Sequence, residues 1–133
     1  MRINKDGKMA RWQEGTELRR GRNTMYRKPF YRKVIKKILN DHCWSNIDDI
    51  ESKLIIDRES DHYQILILGW QGKKRIFFPL VHIDLIGEKI WIQHDGTEEG
   101  VAMDLVDEGI PKCDIVLGFH SRKAREYTDY AVE

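Results

Sequence analysis

The sequence predicts an α+β domain: an antiparallel β-meander of about four strands, preceded by an N-terminal amphipathic helix and followed by a second helix, a short strand and a last short helix. Three observations carry this prediction. Apolar residues recur at helical spacing from Phe30 to Leu39, four strand-like stretches separated by short polar turns lie between Lys53 and His94, and helical spacing returns after Gly96.

In the first helix, Phe30, Val34, Ile35, Ile38 and Leu39 share one side, while Arg32, Lys33, Lys36, Lys37 and Asn40 fill the other. Pro29 is expected in its first turn, where the missing N–H costs nothing. Lys53 to Ile56 and Tyr63 to Trp70 read as strands joined by the polar bend 57–61. Arg75 to Asp84 follows the turn at Gly72, and Lys89 to His94 follows the turn at Gly87. Pro79 has no N–H for a ladder, so it is expected at an edge or a bulge. Thr97 ahead of Glu98 and Glu99 predicts a helix N-cap, with Ala102, Leu105 and Val106 as the apolar stripe and Gly109 and Pro111 as the stop. Asp114 to Phe119 is short and apolar enough for a buried strand, and Ser121 to Tyr127 predicts the last helix.

At 133 residues the chain is sized for one domain. Residues 1–25 lack either period and scatter three glycines among basic residues, so they are expected to form a flexible basic extension ahead of a single domain at 26–133. Residues 1–28 carry a net +6 and the remaining 105 residues a net −5, which concentrates positive charge at one end. A basic extension and the helix face Arg32, Lys33, Lys36 and Lys37 are what a DNA-contacting module would present, although a solvated face has the same composition. The richest apolar stretch, Ile76 to Ile86, is interrupted by Pro79, His82 and Asp84, so no membrane span is expected. No apolar segment follows the first basic residues as it would in a secretory leader, and Cys43 and Cys113 are isolated from each other. A cytoplasmic protein with reduced thiols is expected.

No phosphate-binding glycine loop, dinucleotide fingerprint or zinc-protease motif occurs. What remains is a polar set at the ends of predicted strands: His82, Asp84, His94, Asp95, Glu98 and His120. His82 and Asp84 are two apart on a strand and share a face, so with His94 and Asp95 they have the atoms to ligate a metal ion. The same residues also have a structural role to fill, Asp95 in an Asp-Gly turn and His82 in a hydrogen bond within the sheet. A small metal-dependent enzyme built on His82, Asp84, His94 and His120 is thus an alternative, but spacing assigns no ligand set, no cofactor and no catalytic residue. Asp57, Glu59 and Asp61 alternate in one bend, which is more typical of a solvent-facing turn than of a nuclease centre. Trp70 and Trp91 belong to an aromatic set suited to a protein interface, and an open sheet needs a cover, either a partner protein or a second copy.

Several stretches stand in a distinctive order: Asp61-His62-Tyr63-Gln64, Gly69-Trp70, His82-Ile83-Asp84, then Lys89 through Glu98, then Gly109-Ile110-Pro111-Lys112 and Asp114 through His120. In this order they resemble the XisI family, the fdxN element excision controlling factors, over about residues 26 to 133. The resemblance implies an XisI-like α+β fold and a non-catalytic accessory role in cyanobacterial DNA rearrangement during heterocyst differentiation. It implies action with a XisH-type protein while a separate recombinase, XisF, carries out strand exchange. DNA contact would then come through the partner, and no catalytic residue is implied for this chain.

Overall fold

The computed structural model describes residues 24–44 and 46–133, with side chains from residue 27 onward. The basic extension expected at 1–25 lies outside the described residues, except that Thr24 and Met25 open the first helix.

Four strands form the expected antiparallel meander: β1 (Ile50–Asp57), β2 (His62–Gln71), β3 (Lys74–Ile86) and β4 (Lys89–Asp95). A fifth strand, β5 (Ile115–Leu117), adds to β4 in parallel, so the sheet order is β1-β2-β3-β4-β5. All three β5 residues are buried. A parallel neighbour needs a crossover, and the helix α2 (Val101–Asp107) lies in the connection between β4 and β5. Past a 3-10 turn at Lys112–Asp114 and β5 comes α3 (Arg122–Arg125), where Ser121 Oγ accepts from Ala124 N at 3.2 Å. The chain then returns to β5, with Ala131 N donating to Ile115 O at 2.9 Å.

The first helix, α1 (Thr24–His42), starts upstream of the expected position, and Pro29 is its sixth residue instead of lying in its first turn. The proline forfeits one bond to the residue 25 carbonyl. The upstream turn is tied to the sheet by Arg27, whose guanidinium meets Glu88 in the β3–β4 turn at 2.7 Å. Tyr31, Val34, Ile35, Ile38 and Leu39 of α1 are buried against Tyr63, Ile65 and Ile67 of β2, Val81, Ile83 and Leu85 of β3, and Ile90 and Ile92 of β4. Val101, Leu105, Ile110 and Ile115 close the same core. Each fully buried side chain of this size contributes about 1.5–3 kcal/mol, so this single helix–sheet interface supplies most of the driving force.

Two features of β3 bear on the open face. Pro79 sits at the expected bulge, because Ile65 pairs with Val81 while Leu66 pairs with Pro79, leaving Leu80 extra. The edge expectation holds only in part: β3 is an interior strand, but β4 pairs only with residues 81–86. Residues 74–79 therefore have β2 on one side and no strand on the other, while the Leu80 carbonyl accepts from Gly96 N at 2.7 Å. At the far end of β2, Gly69 has φ 150°, and a Cβ there would lie 2.0 Å from the Asp49 carbonyl oxygen, so this crossing of backbones requires glycine.

The expectation that Thr97 is the N-cap is corrected. Helix α2 begins at Val101 after Gly100, and the acceptor for Val101 N is Asp95 Oδ2 at 2.7 Å. Thr97 Oγ1 donates to Asp95 Oδ1 at 2.6 Å and accepts from Gly100 N at 3.1 Å, so it supports the cap without being it. Gly100, at φ 88°, breaks the helical path that the acidic pair Glu98 and Glu99 suggests.

Candidate functional site

Alternation along the strands sends one set of side chains into the helix-covered core and the other to the opposite face of the sheet. On that opposite face His62 pairs in register with Asp84, and Asp84 with Trp91, while Gln64 pairs with His82 and His82 with His94. Two alternating pairs, His62 and Gln64 on β2 and His82 and Asp84 on β3, thus face each other across one ladder.

These side chains form a network centred on the Asp84 carboxylate. Oδ1 meets His62 Nδ1 at 2.5 Å and His82 Nε2 at 2.8 Å, and Oδ2 accepts from Gln93 Nε2 at 3.1 Å. The other nitrogen of His82, Nδ1, meets Gln64 Oε1 at 2.9 Å. Burial alone would raise the Asp84 carboxyl, but the bonds from His62 and His82 outweigh it and hold the group below its ordinary range. The same contact, reinforced by the charges of Asp84, Asp57 and Asp61, raises His62 above its ordinary value. Among the described residues, His62, His82 and Asp84 are the group with three ligand atoms within 4.8 Å of one another.

The structure brings together only His82 and Asp84 of the polar set picked out by spacing. His94 stands across from His82 in register, yet the β3–β4 bulge puts Gln93 into the network instead. Asp95 is committed to the α2 cap, Glu98 is exposed, and the His120 ring lies against Phe119 with centroids 4.5 Å apart. His62 and Gln64 are the additions, and the sign of them in the sequence is their own two-residue spacing on the preceding strand. The bend 57–61 does not gather its carboxylates. Asp57 Oδ1 accepts from the Glu59 and Ser60 amides, whereas Asp61 is buried and accepts from Arg32 Nε and Nη2 at 2.8 and 3.0 Å.

Trp91 and Trp70 lie on this open face at opposite ends, roughly 25 Å apart by strand rise. Trp91 is half-buried beneath the Arg125 guanidinium, 5.4 Å from its ring centroid. Trp70 is 49% exposed, and Arg75 sits between it and Phe77 at 5.3 and 5.8 Å. Leu66 and Leu68 fill the rows between the polar network and this aromatic end.

The basic face of α1 is divided. Arg32 is held by Asp61, whose carboxyl is kept low by the Arg32 bond against the cost of burial. The neighbouring Tyr63 is pushed up to about 12 by burial and by its bond to Asp61. Lys37 is held by Glu108 at 2.9 Å. Lys33 and Lys36 make no ion pair among the described residues, and together with Arg32, Arg58, Ile56 and Tyr63 they line a groove of about 510 Å³.

Helices α1 and α2 backing one face of a mixed sheet, with a hydrogen-bonded polar network and an aromatic end on the other, define a small α+β domain with an open sheet face. Residues 25–132 match the family profile described as XisI protein, and the chain belongs to the XisI family. Two solved structures from Anabaena variabilis ATCC 29413 are similar to it. A XisI-like protein is 40% identical with a TM-score of 0.74, covering 77% of this chain and 96% of its own. The fdxN element excision controlling factor XisI is 34% identical with a TM-score of 0.70, covering 79% and 97%. No curated protein matches the chain significantly. No helix among the described residues is long and apolar enough to cross a membrane.

Proposed function

We propose that this chain is a controlling factor for excision of a DNA element that acts by protein contact and leaves strand exchange to a recombinase. Membership in the XisI family supports the excision role, because a relative 34% identical carries that function in its name. The observation that supports protein contact is the aromatic end of the open face. Trp70 and Phe77, 49% and 61% exposed, flank Arg75 beside Leu66 and Leu68. Trp and Arg are the residue types that dominate interface energetics, and an apolar band of this kind on a soluble domain marks a contact surface. The partner is a XisH-type protein, and the recombinase and DNA are reached through it.

Light scattering during size exclusion of the full chain mixed with the XisH-type protein of the same genome tests this. A peak at the summed mass is expected. Trp70→Ala or Phe77→Ala should weaken the complex about 30-fold, the effect of losing an interface anchor worth roughly 2 kcal/mol. Two unchanged peaks would overturn the reading.

One observation favours direct DNA contact as the second reading: the groove of Lys33, Lys36 and Arg58 presents cations that no described acid neutralises. Under that reading, duplex DNA binding falls steeply with salt. It also weakens in Lys33→Glu/Lys36→Glu but not in Lys37→Glu, because Lys37 is committed to Glu108.

A further inference from the structure

We propose that His62, His82 and Asp84 form a binding site for a divalent transition-metal ion of the zinc class on the open face of the sheet. The three ligands come from facing positions of β2 and β3, so the rigid ladder rather than a loop sets their spacing. Each offers a ligand atom within 4.8 Å of the other two, and His62 Nδ1 and His82 Nε2 both meet Asp84 Oδ1, at 2.5 and 2.8 Å. Two imidazoles and a carboxylate are a donor set suited to zinc, cobalt or nickel, and three protein ligands leave a position for water or an incoming group.

The surrounding bonds are those a metal site needs. Gln64 Oε1 lies 2.9 Å from His82 Nδ1 and orients the ring so that Nε2 faces Asp84 Oδ1 at 2.8 Å. Gln93 Nε2 holds the other carboxylate oxygen at 3.1 Å, which fixes the plane of the Asp84 ligand. Outer partners of this kind orient metal-bound histidines and carboxylates and set their affinity. Metal–ligand bonds of about 2.0–2.1 Å spread a tetrahedral edge to roughly 3.3 Å. His62, with its side chain 49% exposed, has the freedom to swing outward by that difference.

Calorimetric titration of the metal-free full chain with Zn²⁺, and with Co²⁺ followed by visible absorption, tests the site. One ion per chain is expected, with the ligand-field bands of four- or five-coordinate cobalt. His62→Asn should weaken binding about a hundredfold and Gln64→Leu about tenfold, the range seen when ligand partners are lost. His94→Asn, His120→Asn and Cys113→Ser should bind as the wild type does. A wild-type chain that binds no ion overturns the proposal. So does a His62→Asn chain with the wild-type urea midpoint and undiminished affinity, or loss of binding in the His94, His120 or Cys113 variants. The free chain needs no partner to bind metal, so failure here leaves the docking reading standing, and the reverse holds too.

Discussion

Tyr31 is buried in the stripe of α1 at 3% exposure, yet its hydroxyl donates to Asp114, 83 residues away. Burial first, and then the bond to that carboxylate, push the phenol above its ordinary value of 10.0. An unfolded chain ionises Tyr31 near that value while the folded chain keeps it neutral, so stability is intact below it and is lost as pH rises past it. Tyr31→Phe should cost about 2 kcal/mol at neutral pH, the scale of a hydrogen bond to a charged group. It should also make the alkaline decline shallower, with Tyr63 supplying part of what remains; urea midpoints between about pH 8 and 11 check both. At this scale the sequence was half legible. The spacing of His82 and Asp84 already placed them on one face. His62 and Gln64 were hidden because their register against β3 depends on the extra residue Leu80, and a one-residue slip exchanges the two faces. The basic residues of α1 were visible too. Their acceptors Asp61 and Glu108 lie 29 and 71 residues from Arg32 and Lys37, beyond the reach of any local pattern.

The elements themselves were largely legible, because apolar period and turn residues act locally. The four meander strands and α2 fall where periodicity puts them, lengthened by the ladder at the strand ends. What local pattern could not supply was the reach of α1 back to Thr24, which depends on contact with a distant turn, and the parallel pairing of β5, which depends on the path of the crossover. The start of α2 went astray because two residues compete for the same role. Asp95 accepts from Val101 N and from both the amide and hydroxyl of Thr97, joining the end of β4 to the start of the helix. Asp95→Ala should therefore cost about 2 kcal/mol, whereas Thr97→Ala, which loses the single acceptor for Gly100 N and one donor to Asp95, should cost about 1 kcal/mol. Denaturant unfolding of the two variants gives the order. Equal losses would return the cap to Thr97.

For the whole molecule, the uneven charge has a structural outcome. Basic α1 is clamped to an acidic body through Arg27 to Glu88, Arg32 to Asp61 and Lys37 to Glu108, so two of the four cations on its basic face are tied to the body's own acids. The core occupies one side of the sheet, and the network and the aromatic end share the other, which leaves the two functional proposals on a single surface. Beyond β4, the β2–β3 ribbon runs on with no strand beside residues 74–79 on one side and Phe77 and Phe78 exposed. Such an edge is a template on which another chain can lay its own strand, and repeated addition leads to fibres. Lys74 and Arg75 at one end and the kink at Pro79 at the other stand where guards against that outcome belong. The double variant Lys74→Thr/Pro79→Val should turn a dispersed solution into β-rich aggregates on mild warming, read by scattered light and thioflavin fluorescence, and a clear solution would refute it. Guards of this kind set how much of a protein can be held in solution before it precipitates.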